Sequence, residues 1–352
     1  MKEACRERWR DFFTRAEAGG KLTVGFIGGS ITQGCLASEE AFCFARRVYD
    51  WLAGRFPQAE FTYINAGIGG TTSHFGAARV EKDLLTYEPD AVIVDFCVND
   101  EPEEFFQETF EGLVRKILGH KSCPAVLILH NIYYDSGKNA EKEHRKIADH
   151  YGIPQVSVRG GAYRAMKEGR YTMEELTPDG LHPSDLGHKL VAGQITAWMA
   201  AEAEALTGAL PDPLTANAYE KAKLWNVQNS FPVLSGFAPD IRERTGCGDC
   251  FSCGWTGRHA GDRITFFPEA SCIAVQYRKT MRGPMPGAIL ILDEESEKPL
   301  VLDGNFDEDW DCLRLEPVLC HGRRGRHKIE IILTEDCGEE GRPFYLAAIV
   351  TD

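Results

Sequence analysis

Two hydrophobic periods alternate through the first 206 residues, and this alternation constrains the fold more than anything else in the chain. Short apolar runs rich in β-branched residues fall at 22–27, 61–65, 91–96 and 125–130, with a shorter one at 155–158. Between them, apolar residues recur at helical spacing over 3–18, 41–52, 75–87, 103–118, 139–151 and 185–206. Runs that are apolar on both faces, separated by one-sided helices, predict a parallel sheet covered on both sides. The expected class is α/β, a flavodoxin-like three-layer α/β/α domain. With strand order 2-1-3-4-5, the crevice at the switch point opens between strands 1 and 3. The carboxyl ends of those strands are Gly28-Gly29-Ser30 and Cys97-Val98-Asn99-Asp100.

The pattern changes at GALPDPLTANAY, residues 208–219, where two prolines mark a linker. After it the helical period disappears. Strand-like runs at 263–268, 272–278, 287–293, 298–303, 327–333 and 344–350 alternate with turn residues, which predicts an all-β sandwich. The expected division is a first domain over 1–210, a linker over 211–225 and a β-sandwich over 226–352.

Composition narrows the partners. A formal net charge of −14 argues against a nucleic-acid binder and against an anionic membrane surface. The basic cluster Arg323, Arg324, Arg326, His327 and Lys328 lies beside glycines and reads as a solvated hairpin turn. The opening MKEACRERWRDFF has no apolar signal core, and no window approaches a membrane span. The 12 cysteines then read as reduced thiols, and the expected location is cytoplasmic. Whether the chain forms a homo-oligomer is left open.

The turn Gly28-Gly29-Ser30 admits several chemistries. A dinucleotide fingerprint needs G-x-G-x-x-G, whereas the glycines here fall at 25, 28, 29 and 34. A phosphate loop needs lysine after its last glycine, and Cys35 stands there. Ser30 is left as a turn or cap residue, or as a nucleophile. Serine acyl transfer needs a base, a group that orients the base, and donors for an oxyanion. Asp179 and His182 in TPDGLHP suit the first two roles, although Asp-x-x-His is also ordinary turn chemistry. Gly70, after strand 2, and Asn99, after strand 3, suit the oxyanion, although each is also a common turn residue. Their joint occurrence, in this order and at successive strand ends, favours the catalytic reading.

These blocks resemble the SGNH hydrolases, also called the GDSL esterase/lipase family. GGSIT resembles the nucleophile block, NAGIGGTTS the glycine block, CVND the asparagine block and DGLHPSDLGH the final block, across residues 20–200. Two positions depart from the family pattern: Gly29 replaces the aspartate of the GDSL signature, and Cys97 replaces the glycine of G-x-N-D. The resemblance implies Ser30 as nucleophile, His182 as base oriented by Asp179, and an oxyanion hole from Ser30, Gly70 and Asn99. It implies a reaction that needs no metal or cofactor.

A β-sandwich following such a domain is similar to the arrangement in carbohydrate O-acetylesterases of gut bacteria. That implies acetylated oligosaccharides, of mannan type among others, as substrate. A short-chain lipase, an acyl-thioesterase and a non-catalytic glycan-binding protein are the alternatives. Trp255, in a glycine-rich loop, is a candidate for stacking on a sugar, with a core or surface tryptophan as the plainer reading. Trp310 is open to the same two readings. Cys247, Cys250 and Cys253 have metal-ligand spacing without an evident fourth ligand. DGNFDEDWD, 303–311, has Glu308 where a calcium loop needs glycine, and reads as an acidic solvated loop.

Overall fold

The computed structural model describes residues 4–201, 213–295, 298–306 and 310–352. It divides into two compact units, Met1–Glu220 and Lys221–Asp352.

The first unit is built on five parallel strands: β1 (Lys21–Gly28), β2 (Glu60–Gly67), β3 (Ala91–Asp95), β4 (Ala125–His130) and β5 (Gln155–Ser157), in spatial order 2-1-3-4-5. This is the expected flavodoxin-like order. Helices α1 (Ala4–Glu17), α3 (Phe44–Arg55) and α9 (Asp185–Ala200) cover one face; there Trp9, Phe12, Val48, Leu52 and Ile195 pack with Val24, Phe26, Ile93 and Leu127 in one buried cluster. Helices α4 (Ser73–Asp83), α5 (Glu104–Leu118) and α6 (Glu141–Tyr151) pack together in the other layer and bury Val80, Leu113, Val114 and Ile147. β3 and β4 are buried along their whole length, which is why their sequences are apolar without alternation.

The strand register decides what can meet. Gly28 pairs with Gly67 across β1–β2 and with Asp95 across β1–β3, so three strands end level with one another. The loops that leave these ends therefore emerge side by side. They carry Ser30 at the start of the four-residue helix α2 (Ser30–Gln33), then Gly69-Gly70, then 97–100.

Between β5 and α9 the sequence gives only a polar stretch, but the structure contains two short helices, α7 (Ala162–Lys167) and α8 (Met173–Leu176). A reciprocal cap starts α8: Thr172 Oγ1 accepts from Glu175 N at 3.2 Å, and Glu175 Oε2 accepts from Thr172 N at 2.7 Å. Residues 202–206 of the expected last helix and 211–212 of the expected linker lie outside the described residues. Residues 213–220 are bonded into the first unit. Glu111 accepts from the backbone N–H of Leu214 and Thr215, and buried Tyr219 packs edge-on against His74 at 5.0 Å.

The second unit is all-β, as expected, and its named strands pair antiparallel. One sheet joins Leu300–Leu302, Ala288–Leu292, Ile329–Leu333, Arg263–Phe266 and Val233–Ser235 in that order. The other joins Cys312–Leu319, Ile273–Lys279, Phe344–Thr351, Trp255–Gly257 and Ala238–Pro239, with Lys223–Trp225 also paired to Phe344–Thr351. Ile264, Leu290 and Ile331 of the first sheet share a core with Val275, Tyr277 and Leu346 of the second, which makes the unit a sandwich. Cys312–Leu319 is absent from the expected strands. It is an edge strand of partly exposed residues interrupted by Pro317, so it lacks a clean alternation. No described helix is long and apolar enough to cross a membrane.

Candidate active site

Ser30, Asp179 and His182 come together as a hydrogen-bonded relay. His182 Nε2 lies 2.8 Å from Ser30 Oγ, and His182 Nδ1 lies 2.6 Å from Asp179 Oδ2. The other carboxylate oxygen, Oδ1, accepts from Leu181 N at 2.9 Å, His182 N at 2.7 Å and Thr177 Oγ1 at 3.2 Å. The loop thus folds around its own aspartate, and the Asp-x-x-His spacing lets one carboxylate hold both the loop backbone and the imidazole. Burial alone would raise the Asp179 carboxyl, but the bonds from the His182 ring and from the Leu181 and His182 N–H groups hold it below the usual carboxylate range. An ionised Asp179 accepts the proton on Nδ1, so Nε2 presents its lone pair to the Ser30 hydroxyl.

His182 itself is pushed up to about 9. The nearby Cys35 sulfur contributes most; burial opposes the shift and Asp179 adds to it. The pull from Cys35 requires a thiolate. With a neutral thiol there, Asp179 is the anion that governs the ring.

The other candidates flank Ser30. A Cβ at Gly69 would stand 3.5 Å from Ser30 Cβ, so the turn after β2 runs alongside the serine. Gln33 Oε1 accepts from Gly69 N at 2.7 Å and pins that turn to α2. Gly70 has φ +69° and lies exposed, with nothing within 4 Å of where a Cβ would be. Its glycine serves the left-handed backbone, and the space beside it is open. Asn99 lies across the turn before Ser30: a Cβ at Gly29 would stand 2.2 Å from Asn99 Oδ1 and 3.0 Å from Nδ2. In this backbone a side chain at position 29 would displace the Asn99 amide.

Several supporting residues carry no motif. Asp95, buried at the end of β3, accepts from Thr32 Oγ1 at 3.0 Å and Asn131 Nδ2 at 2.9 Å. Its backbone carbonyl accepts from Gly29 N at 3.2 Å. Burial pushes its carboxyl up to about 6 against those two bonds. An aspartate inside the apolar run AVIVDF was the available signal. Asp185, the first residue of α9, holds Ser38 through N and Oγ at 2.8 and 2.6 Å. His188 on the same helix meets Phe44 N and the Cys35 carbonyl, and burial lowers its pKa to about 4. These bonds tie the segment after Ser30 to the helix that follows His182.

A cleft of about 990 Å³ is lined by Val98, Glu101, Tyr133, Asp135, Lys138 and Arg159 among others, and by none of Ser30, Asp179 and His182. Val98 adjoins Asn99, and Tyr134 N donates to the Gly180 carbonyl at 2.7 Å, so the cleft borders both the asparagine loop and the Asp179–His182 loop. Half-buried Tyr133 supplies an aromatic face among charged side-chain ends.

Trp255 is a correction. It is 2% exposed and packs edge-on against Phe266 at 5.3 Å inside the sandwich core, which leaves no ring face for a sugar. Trp310 is 51% exposed and sits edge-on to Phe306. The thiols of Cys250 and Cys253 donate to the carbonyls of Cys247 and Arg242, and among the described residues the three cysteines form no three-ligand group. In the acidic segment 303–311, residues 307–309 lie outside the described residues; Asp311 pairs with Thr280 and Arg342.

A doubly wound sheet that carries a Ser-His-Asp relay at its switch point defines a hydrolase class. Residues 26–190 match the GDSL-like Lipase/Acylhydrolase family. The crystal structure of a two-domain esterase active on acetylated mannans is similar over both domains, with 46% identity, a TM-score of 0.95, and 98% of this chain and 94% of that one covered. A second structure of such an esterase, co-crystallised with mannopentaose, also shares 46% identity, with a TM-score of 0.95 and 99% and 95% covered. An acetylxylan esterase of Geobacillus stearothermophilus is 25% identical over 195 residues, which is 47% of this chain and 89% of that one. The chain belongs to the GDSL-like lipase/acylhydrolase family and is a carboxylic ester hydrolase.

Proposed function

We propose that the chain removes O-acetyl groups from oligosaccharides, mannan-type chains among them, with Ser30 as nucleophile. The observation that carries the substrate class is the 46% identity, extending over both domains, to the esterase active on acetylated mannans.

In this reading His182 Nε2 takes the Ser30 proton as Oγ attacks the acetyl carbonyl. The resulting imidazolium is stabilised by Asp179. The oxyanion is met by the N–H groups of Ser30 and Gly70 and by the Asn99 amide. His182 then gives its proton to the departing sugar hydroxyl. Water, activated by the same nitrogen, attacks the acetyl-serine and releases acetate. In that last step His182 passes the proton taken from water to Ser30 Oγ as the acyl bond breaks, the product leaves as acetic acid that ionises to acetate in solvent, and no redox partner is needed.

The test is acetate release from acetylated manno-oligosaccharides, run beside p-nitrophenyl acetate and octanoate, for wild type and Ser30→Ala. The reading expects release that depends on Ser30 and a preference for acetyl. A clear preference for octanoyl, or acetylated manno-oligosaccharides left intact by an otherwise active enzyme, would overturn the substrate assignment.

A further inference from the structure

Away from the relay, three ligand-type side chains that the reaction does not use meet inside the first unit. Cys97 follows β3, His130 ends β4 and His144 lies on α6, and all three are 0% exposed. One ligating atom from each lies within 4.8 Å of the other two.

Both imidazoles are held from one side only. His144 Nε2 meets Asp100 Oδ2 at 2.9 Å, and its ring stacks on Phe110 at 3.7 Å. His130 Nε2 meets Gln155 Oε1 at 2.8 Å. An acceptor on each Nε2 keeps the ring proton there and leaves a lone pair on Nδ1. Neither Nδ1 has a hydrogen-bond partner, although both are buried. Buried acceptors without a donor are rare and need an explanation. An outer acceptor on one nitrogen with a free lone pair on the other is the arrangement of a metal-binding histidine. The charge around the cluster also suits a cation, because Asp95, Glu141 and Asp100 all act electrostatically on Cys97.

We propose that Cys97, His130 and His144 form a buried, non-catalytic site for a thiophilic d¹⁰ cation, Zn²⁺ or Cu⁺, bound through the Cys97 thiolate and both Nδ1 atoms. Binding breaks the Cys97 S–H bond, forms the metal–sulfur bond and releases one proton to solvent, with no change in oxidation state. A thiolate and two imidazoles suit both ions. Cu⁺ accepts three ligands, whereas Zn²⁺ would add a fourth. The site would join the loop carrying Asn99 to β4 and α6. It requires nothing of the esterase reading.

The test uses the full chain, stripped with chelator under reducing conditions and titrated separately with Zn²⁺, with Cu⁺ held reduced, and with Co²⁺ as an optical probe. The expected result is one equivalent bound by Zn²⁺ or Cu⁺, a raised Tm, and a thiolate-to-cobalt charge-transfer band. That band should vanish in Cys97→Ser and persist when Cys247, Cys250 and Cys253 are all changed to serine. X-ray absorption on the loaded wild type should show one sulfur and two imidazole nitrogens, a readout that does not depend on the variant folding. No bound equivalent, a band that survives Cys97→Ser, or a sulfur-rich absorption spectrum would overturn the proposal.

Discussion

Ser30 Oγ and His182 Nε2 lie 2.8 Å apart although 152 positions separate them in the chain. One belongs to the turn after β1 and the other to the loop before α9, and Asp179 at 2.6 Å completes the line. The central claim about this protein rests on that alignment. If Nε2 is the base for Ser30, Asp179→Asn should lower kcat on p-nitrophenyl acetate by about 10³-fold or more, because the amide favours the wrong ring tautomer. Stopped assays on folded variant, checked by circular dichroism, measure this. A loss under tenfold would mean that Asp179 only shapes the loop.

In the proposed mechanism Asn99 stabilises charge that develops in the transition state. Asn99→Ala should lower kcat by about 10²–10³-fold with little change in KM, as for removal of one oxyanion donor. A rise in KM with kcat preserved would place Asn99 in ground-state binding instead.

Gly29 gives a test of that geometry from the opposite side of the contact. Restoring the family's aspartate, Gly29→Asp, puts a Cβ 2.2 Å from Asn99 Oδ1, and the amide must move. The variant should lose kcat to the same order as Asn99→Ala. The double variant should be little worse than either single one, because both remove the same donor. Additive losses would show that Gly29 and Asn99 act separately.

The pH profile should respond to Cys35. His182 must be neutral to act as base, so the acid limb of kcat/KM follows its pKa, and activity rises as pH climbs through it. Cys35 and Asp179 both raise His182 toward about 9; where Cys35 is a thiolate, Cys35→Ala removes an upward pull and should move the limb to lower pH. The variant would then gain activity at neutral pH relative to its maximum. A limb that stays in place would assign the ring's basicity to Asp179 alone.

In the sandwich, Trp255→Ala should cost about 3–5 kcal/mol of stability in that unit, as large-to-small changes at buried aromatics do. Turnover by the surviving folded protein should be unchanged. Denaturant unfolding read beside activity separates the two effects.

The strands and the site loops were legible because each rests on a local pattern. The apolar runs gave the strands, and the polar blocks after them gave Ser30, Gly70, Asn99 and the Asp179–His182 loop. What escaped depends on contacts across the fold. Trp255 in a glycine-rich loop has the same sequence context whether its ring stacks on a sugar or fills a core; only packing against Phe266 decides. Asp95 bonds to Thr32 and Asn131, and such pairings exist only once β1, β3 and β4 lie side by side. Cys97, His130 and His144 likewise meet only in the folded unit. The cap on α8 was a different omission, since Thr172 and Glu175 stand at capping-box spacing in the sequence.

The most direct measurement is intact and peptide-level mass spectrometry of enzyme quenched during turnover of an acetylated manno-oligosaccharide. The account predicts one acetyl group, carried on the peptide containing Ser30 and absent from Ser30→Ala. An acetyl group on another residue, or undiminished turnover by Ser30→Ala, would contradict it.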